Sequence, residues 1–366
     1  MTEKTPPELD ALRGDIDRLD DQIAALLQRR LEVARRIGEA KKGAAIFDAA
    51  REASVRQRVQ ETLSDVPPAS VHALWREIFA LCRDVQRPLR ALCLGPDGSF
   101  SSEAARRALG TEISLTFCPD ISEVFRRVER GDGDLGVVPI ENSVEGAVLA
   151  TLDAFATSSK ELRIQQELSL EVRPGLASRS ESLEEVREVL SHPQALAQCR
   201  QWLRAHLPGV PLVAAESTSA AAERAARAPE VAAICSPRAM ELHGLNLLAD
   251  AIQDRPDNTT RFWFVGRGTP RATAWDKTSL LFNVRHEPGA LFRALEPLHR
   301  GGRNLTHIQS RPLPGNPFEY LFFVDFVGHE EKEPTASALA EMKKFCTFFR
   351  VLGSYPLLAE ASPLWR

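Results

Sequence analysis

From Leu12 to Lys41 the chain places residues at alternating spacings of four and three: Leu12, Ile16, Leu19, Ile23, Leu26, Arg30, Val33, Ile37 and Ala40. All but Arg30 are apolar, and the pattern is the seam of a long helix, about 45 Å at 1.5 Å per residue. Lys41, Lys42 and Gly43 predict its end. Asp48 precedes Ala49-Ala50-Arg51-Glu52 as the N-cap of a second helix. Pro67-Pro68 break the chain, Ser70 is placed to cap a third helix, and Val71, Trp75, Ile78, Cys82 and Val85 form its seam. After Arg90 the period changes. Apolar runs at Ala91–Gly95, Leu135–Ile140, Leu168–Val172, Pro211–Ala215, Ala232–Cys235 and Phe262–Val265 alternate with helical stretches. They predict a two-lobed α/β region of open parallel sheets covered by helices.

A third pattern begins near residue 277. Strands at Thr278–Val284, Asn304–Ser310, Tyr320–Val327 and Val351–Tyr355, with helices at Pro288–His299 and about Thr335–Phe349, give βαββαβ, an α+β ferredoxin-like order. A multidomain chain is therefore expected, with an all-α module at 1–88, an α/β domain at 90–268 and an α+β domain at 277–356. Its 366 residues suit two or three cores.

Composition narrows the chemistry. A net charge of −4 argues against a polyanion partner, and the arginines of the long helix are interspersed with Asp15, Asp17, Asp20, Asp21, Glu32 and Glu39, so no nucleic-acid stripe survives. Cysteines 82, 93, 118, 199, 235 and 346 form no CxxC pair or metal-ligand cluster, which predicts reduced thiols, no metal and a cytoplasmic setting. The start, MTEKTPPE, is not a secretory leader, and no apolar run is long enough to span a bilayer.

Arg30 is the first chemical candidate. A guanidinium in an apolar seam needs an anion or several acceptors, although a stem that packs while its head reaches water is the commoner outcome. Lys41, eleven residues on, lies only about 20° round the helix from Arg30, whereas Arg13 lies about 100° away and points elsewhere. Three helices, one so long, cannot bury their seams alone, so a dimer sharing the long helices is expected. Such a bundle would collect two or three cations, the Glu52 carboxylate and the Gln86 amide, a set suited to a small dianion.

Arg13, Arg30, Lys41, Asp48, Arg51-Glu52, Cys82 and Gln86 together resemble the all-helical chorismate mutases, intertwined dimers that rearrange chorismate to prephenate. The resemblance implies that Arg30 and an Arg13 from a second chain hold the two carboxylates. It implies that Lys41 and Gln86 donate to the ether oxygen, and that Glu52 and Asp48 position the hydroxyl and its surroundings. A pericyclic step needs only a fixed conformer and donors aimed at developing charge. Cys82 stands where that family usually has serine, a weaker donor in a binding position or simply a small seam filler.

In the α/β region ligands are expected beyond the carboxyl ends of strands. Four clusters stand there: Gly95-Pro96-Asp97-Gly98-Ser99-Phe100-Ser101, Pro139-Ile140-Glu141-Asn142-Ser143, Glu216-Ser217-Thr218-Ser219 and Asn258-Thr259-Thr260-Arg261-Phe262. Each alone passes as capping or turn chemistry. None has the spacing of a nucleotide or dinucleotide loop, so no cofactor is called for. A cleft of hydroxyls, amides and one arginine suits elimination from an activated carboxylate better than hydrolysis. His192, in Ser191-His192-Pro193-Gln194, reads as a turn residue.

With SHPQAL, these motifs resemble prephenate dehydratase, in that family's order, and the two lobes resemble periplasmic binding proteins. The family converts prephenate to phenylpyruvate by losing carbon dioxide and water, with Thr260 essential and Asn142, Ser143, Thr218 and Arg261 binding substrate. Thr260 is expected to donate to the departing hydroxide, and Arg261 to grip the carboxylate that remains. The last domain resembles the ACT regulatory domain, which implies phenylalanine bound at a dimer interface through Gly289, Ala290 and Leu291, with Ser310 and Arg311 supporting. Gln309 stands where that motif usually carries glutamate. The chain as a whole is similar to the fusions of mutase, dehydratase and ACT domain that serve phenylalanine synthesis. Two rivals remain: a dehydratase whose helical module is only a dimerisation scaffold, and a non-catalytic sensor of an aromatic acid.

Overall fold

A computed structural model of the chain describes residues 7–41, 43, 45–313 and 319–357. The helical module comprises α1 (Pro7–Lys41), α2 (Ala49–Thr62) and α3 (Pro68–Asp84). Asp48 caps α2 by accepting from Arg51 N at 2.9 Å. Ser70 does not cap α3: the helix starts two residues earlier on Pro68, whose fixed φ and missing N–H suit the first turn. Lys42 lies outside the described residues. The α1 seam is not covered within the chain. Leu12, Ile16, Leu19, Ile23, Leu26, Val33 and Ile37 are each 46–62% exposed.

The first lobe contains β1 (Arg90–Leu94), α4 (Phe100–Leu109), β2 (Ser114–Cys118), α5 (Ile121–Arg130), β3 (Leu135–Asn142), β4 (Gly146–Ala147), α6 (Leu149–Thr157) and β5 (Leu162–Glu171). The chain then crosses to a second lobe of β6 (Gly175–Ser178), β7 (Glu188–Ser191), α7 (Pro193–Gln198), α8 (Arg200–His206), β8 (Leu212–Ala214), α9 (Thr218–Ala225), β9 (Val231–Cys235), α10 (Pro237–His243) and β10 (Asn246–Ala249). It returns as β11 (Thr259–Arg267). The lobes are two separate sheets, ordered β2-β1-β3-β11-β5, with β4 beside β3, and β10-β6-β9-β7-β8.

Both sheets are mixed rather than parallel. The first has β1 parallel to β2 and β3, while the returning β11 runs antiparallel to β3 and β5. In the second, β7 is parallel to β8 and β9, and β6 is antiparallel to β9 and β10.

The C-terminal domain is β12 (Asp276–Val284), α11 (Ala290–Arg300), β13 (Leu305–Pro312), β14 (Tyr320–Val327), α12 (Thr335–Met342) and β15 (Cys346–Pro356), an antiparallel sheet ordered β13-β14-β12-β15. The helix expected to reach Phe349 stops at Met342. Thr347, Phe348 and Phe349 are better strand formers, and the segment opens β15 instead, with Cys346, Phe348 and Phe349 paired to β12.

The first lobe is packed on both faces. One face shares a core with the C-terminal sheet, where Trp263 and Ile164 meet Leu281, Phe323 and Tyr355. The other buries Phe262, Phe264 and Leu168 with Ile46, Phe47 and Ala49 from the connection between α1 and α2 and the first residue of α2. Polar ties reinforce the first junction. The buried Arg350 donates to the carbonyls of Phe155, Ser158, Ser159 and Leu162, and Arg163 Nη1 donates to Val351 O at 2.6 Å. Gly353 sits so close to β5 that a Cβ there would stand 2.6 Å from Ile164 O.

Candidate active sites

In the helical module α1 and α3 bring Arg30 to Cys82. Arg30 Nη1 donates to Cys82 Sγ, and its guanidinium stands 5.6 Å from the centroid of the Phe79 ring. Burial raises the Cys82 thiol's pKa despite Arg30, so the sulfur stays protonated at neutral pH. Gln86, one turn further, donates to Cys82 O at 2.7 Å and leaves its buried Oε1 without a partner. Lys41 Nζ donates to Ala45 O at 3.0 Å, closing the turn between α1 and α2.

Glu52 is held by a residue the sequence reading passed over. Arg83, 3% exposed, donates to Glu52 Oε1 and to Leu109 O, the latter in the first lobe, and stands 5.8 Å from the centroid of the Phe47 ring. The expected task for Glu52, positioning a substrate hydroxyl, is therefore left to its other oxygen. Arg13 is exposed beside Asp10 at 3.4 Å. Seventeen residues of helix put it about 25 Å from Arg30, so the two cannot share a site within one chain.

In the α/β domain β3 and β11 run side by side, with Asn142 opposite Thr260. The hydrogen bonds fix the Asn142 amide: its Oδ1 accepts from Val144 N at 3.0 Å and Glu145 N at 3.2 Å, and a backbone N–H can only donate. Its Nδ2 therefore supplies both other bonds, to Asn258 Oδ1 at 2.8 Å and to Thr260 Oγ1 at 2.9 Å. Asn258 continues to Gln198 Oε1 at 3.0 Å, joining the first lobe to the end of α7 in the second. Gln198 was not among the expected residues, and its position at a helix end gave no local signal.

Other expected residues serve structure. Ser143 donates to Asp257 O at 2.9 Å and accepts from Thr259 N at 3.0 Å, stapling the loop before β11. Thr218 opens α9, whose cap is Ser217. His192 caps α7, as its turn reading anticipates. The lobes also meet through the glycine-bearing turn before α4. Ser236 Oγ donates to Gly98 O at 2.7 Å and Ser219 Oγ donates to Asp97 O. Gly98 has φ of 80°, and a Cβ there would come within 2.9 Å of Ala239 Cβ.

Arg261 requires a correction. Neighbouring strand residues face opposite sides, so Arg261 points away from Thr260 and towards the C-terminal sheet. Its Nη1 and Nη2 meet Glu141, Glu167 and Asp325, each at 2.7 Å, so its terminal nitrogens are engaged by protein carboxylates on the side away from Thr260. Glu167 also accepts from Lys277 at 2.7 Å, Trp263 Nε1 at 3.3 Å and Tyr355 Oη at 3.2 Å. Burial alone would raise the Glu167 pKa, but Arg261 and Lys277 overcome it and hold the carboxyl well below the usual range.

Burial raises the thiol pKa of all four cysteines of the α/β domain, Cys118 among them. It pushes the Cys93, Cys199 and Cys235 thiols up to about 12. No described group of three or more His, Cys, Asp or Glu is arranged to hold a metal ion, and no described helix is long and apolar enough to cross a membrane.

The C-terminal domain has a pocket of about 160 Å³ where α11 begins, lined by Val284, Arg285, Glu287, Ala290, Leu291 and Phe322 among others. Gly289, at φ 74°, makes the turn into α11. Gln309, Ser310 and Arg311 do not line this pocket. Gln309 donates to Ser310 O, Ser310 is exposed, and Arg311 is paired with Asp153 of α6, so the supporting role expected of Arg311 gives way to a tie between domains.

Fold and sites define a multidomain enzyme: a helical module centred on a seam arginine, joined to a two-lobed α/β domain with a hydroxyl and amide network between its lobes. Comparison with known proteins agrees. Residues 12–87 match the family model for chorismate mutase type II, and residues 91–270 that for prephenate dehydratase. A bifunctional chorismate mutase/prephenate dehydratase of Aquifex aeolicus is 40% identical over 95% of this chain and 98% of its own length; that of Pseudomonas aeruginosa is 36% identical over 95% and 98%. The crystal structure of an Arthrobacter aurescens prephenate dehydratase in complex with L-Phe is 37% identical, with a TM-score of 0.69, covering 75% of this chain and 92% of that one. The chain belongs to the bifunctional chorismate mutase/prephenate dehydratase family.

Proposed function

We propose that the helical module, residues 1–88, rearranges chorismate to prephenate and that residues 90–268 convert prephenate to phenylpyruvate in phenylalanine biosynthesis. Arg30 and Arg13 of a second copy hold the two carboxylates of chorismate. Lys41 and Gln86 donate to the ether oxygen as its bond to carbon breaks. The uncovered seam of α1 supports a homodimer that would supply that Arg13.

One observation carries the dehydratase assignment. Thr260 Oγ1 accepts from Asn142, so the single proton of its hydroxyl remains to be donated. It is aimed at the departing hydroxide, while loss of carbon dioxide supplies electrons and aromatisation the driving force. With Arg261 committed elsewhere, the retained carboxylate falls to Thr218 and the amides that open α9.

Residues 277–356 are proposed to be an ACT domain of ferredoxin-like topology, supported by the strand order β13-β14-β12-β15. Phenylalanine is its proposed effector. The pocket at α11 offers apolar Leu291 and Phe322 beside Arg285 and Glu287, a set matched to an aromatic zwitterion. The test is phenylpyruvate formation from chorismate alone and from prephenate alone, each with and without phenylalanine. Product from both substrates supports the bifunctional reading. Product from prephenate alone reduces the helical module to a scaffold, and product from neither overturns the proposal.

A further inference from the structure

A second pocket, of about 220 Å³, lies where the helical module meets the first lobe. Its walls come from α2 and α3 on one side and from α4 and β5 on the other. Three guanidinium-bearing residues, Arg56, Arg76 and Arg107, line it, and no carboxylate does so among the described residues. Arg76 is partly compensated by Glu77, which lies outside the pocket at 2.7 Å and is itself drawn to Thr111. Arg76 and Arg107 both line this concave space, and an anion seated between them would offset their mutual repulsion.

A second observation is independent of charge. Gln166 on β5 lines the same pocket, is 1% exposed, and its buried Nε2 has no hydrogen-bond partner. Buried amide donors are almost always satisfied. A pocket that combines Arg76 and Arg107 with one spare amide donor suits an occupant with anionic oxygens and an additional acceptor.

We propose that this pocket is a binding site for a small organic or inorganic anion, carrying carboxylate or phosphate oxygens, seated between Arg76, Arg107 and the Gln166 amide. Neither candidate active site uses these residues. An occupant here would also fasten the helical module to the first lobe, because each contributes one wall.

The experiment is calorimetric titration of the full-length protein with malonate and, separately, with inorganic phosphate, at ionic strength matched with chloride. Saturable binding that weakens about tenfold to a hundredfold in Arg107→Gln and about tenfold in Gln166→Leu is expected. Arg30→Ala, which removes a cation from the mutase site, should leave in place the binding component that Arg107→Gln weakens. Binding of malonate alone identifies a carboxylate ligand, and of phosphate alone a phosphate ligand. Absence of saturable binding by either anion overturns the proposal. So does binding that Arg107→Gln and Gln166→Leu leave unchanged while Arg30→Ala abolishes it, which would place the anion in the mutase site. Gln166→Leu preserves side-chain volume and keeps the test usable if Arg107→Gln folds poorly.

Discussion

Glu167 lies at the centre of the buried junction between the first lobe and the C-terminal sheet, and Glu167→Gln tests how that junction is held. The substitution keeps the shape and removes the charge, leaving Arg261 and Lys277 under-compensated. Breaking a buried pair from one side costs about 3–5 kcal/mol. Glu141 and Asp325 still face Arg261, so the lower end is expected near neutral pH. The pH dependence follows from the depressed carboxyl. Its contribution is complete above its ordinary pKa of 4.5 and is lost as pH falls below that value towards the folded one, because only the unfolded chain takes up the proton there. Glutamine has no such dependence. The gap between wild type and variant should therefore shrink by about 1.4 kcal/mol for each pH unit below 4.5.

Urea unfolding followed by tryptophan emission is the assay, since Trp263 donates to the altered group. Adding Lys277→Met to Glu167→Gln should recover part of the loss, because it removes the cation left unpaired. A gap near zero at neutral pH, or one that stays constant between about pH 6 and pH 3.5, would refute the reasoning.

Two further outcomes follow from the sites. Thr260→Ala should lower kcat for prephenate by about 10²–10³ with little change in KM, as expected for one donor lost from a transition state; equal losses in both constants would count against it. Cys82→Ser puts a stronger hydroxyl donor at the expected binding position, so KM for chorismate should fall about threefold to tenfold with kcat retained, from a hydrogen bond worth roughly 0.5–1.5 kcal/mol; an unchanged KM would exclude a role in binding.

What the sequence reveals divides by range. The α1 seam, the Asp48 cap and the Asn142 and Thr260 clusters are legible because each is a local pattern of spacing or capping. Strand direction has no local signature, so the antiparallel return of β11 could not be read and a parallel sheet was expected. Arg83 and Gln198 matter through partners 31 and 60 residues away, beyond any periodicity. Arg261 differs, since its signal was present. Adjacent positions in a strand cannot both face the cleft, and Thr260 already occupied that side.

The ties of Arg350, Arg163 and Arg311 fasten the C-terminal sheet to the first lobe at several points. The second lobe is suspended differently. It hangs on the two chain crossings, β5 to β6 and β10 to β11, and closes through the Asn258–Gln198 contact and serine hydroxyls on backbone carbonyls. Under the proposed phenylalanine control, the second lobe would be the part left to move against the first. The proposed regulation would act as a brake on the jaw opposite the hand that holds it, changing how often the cleft opens rather than what it contains.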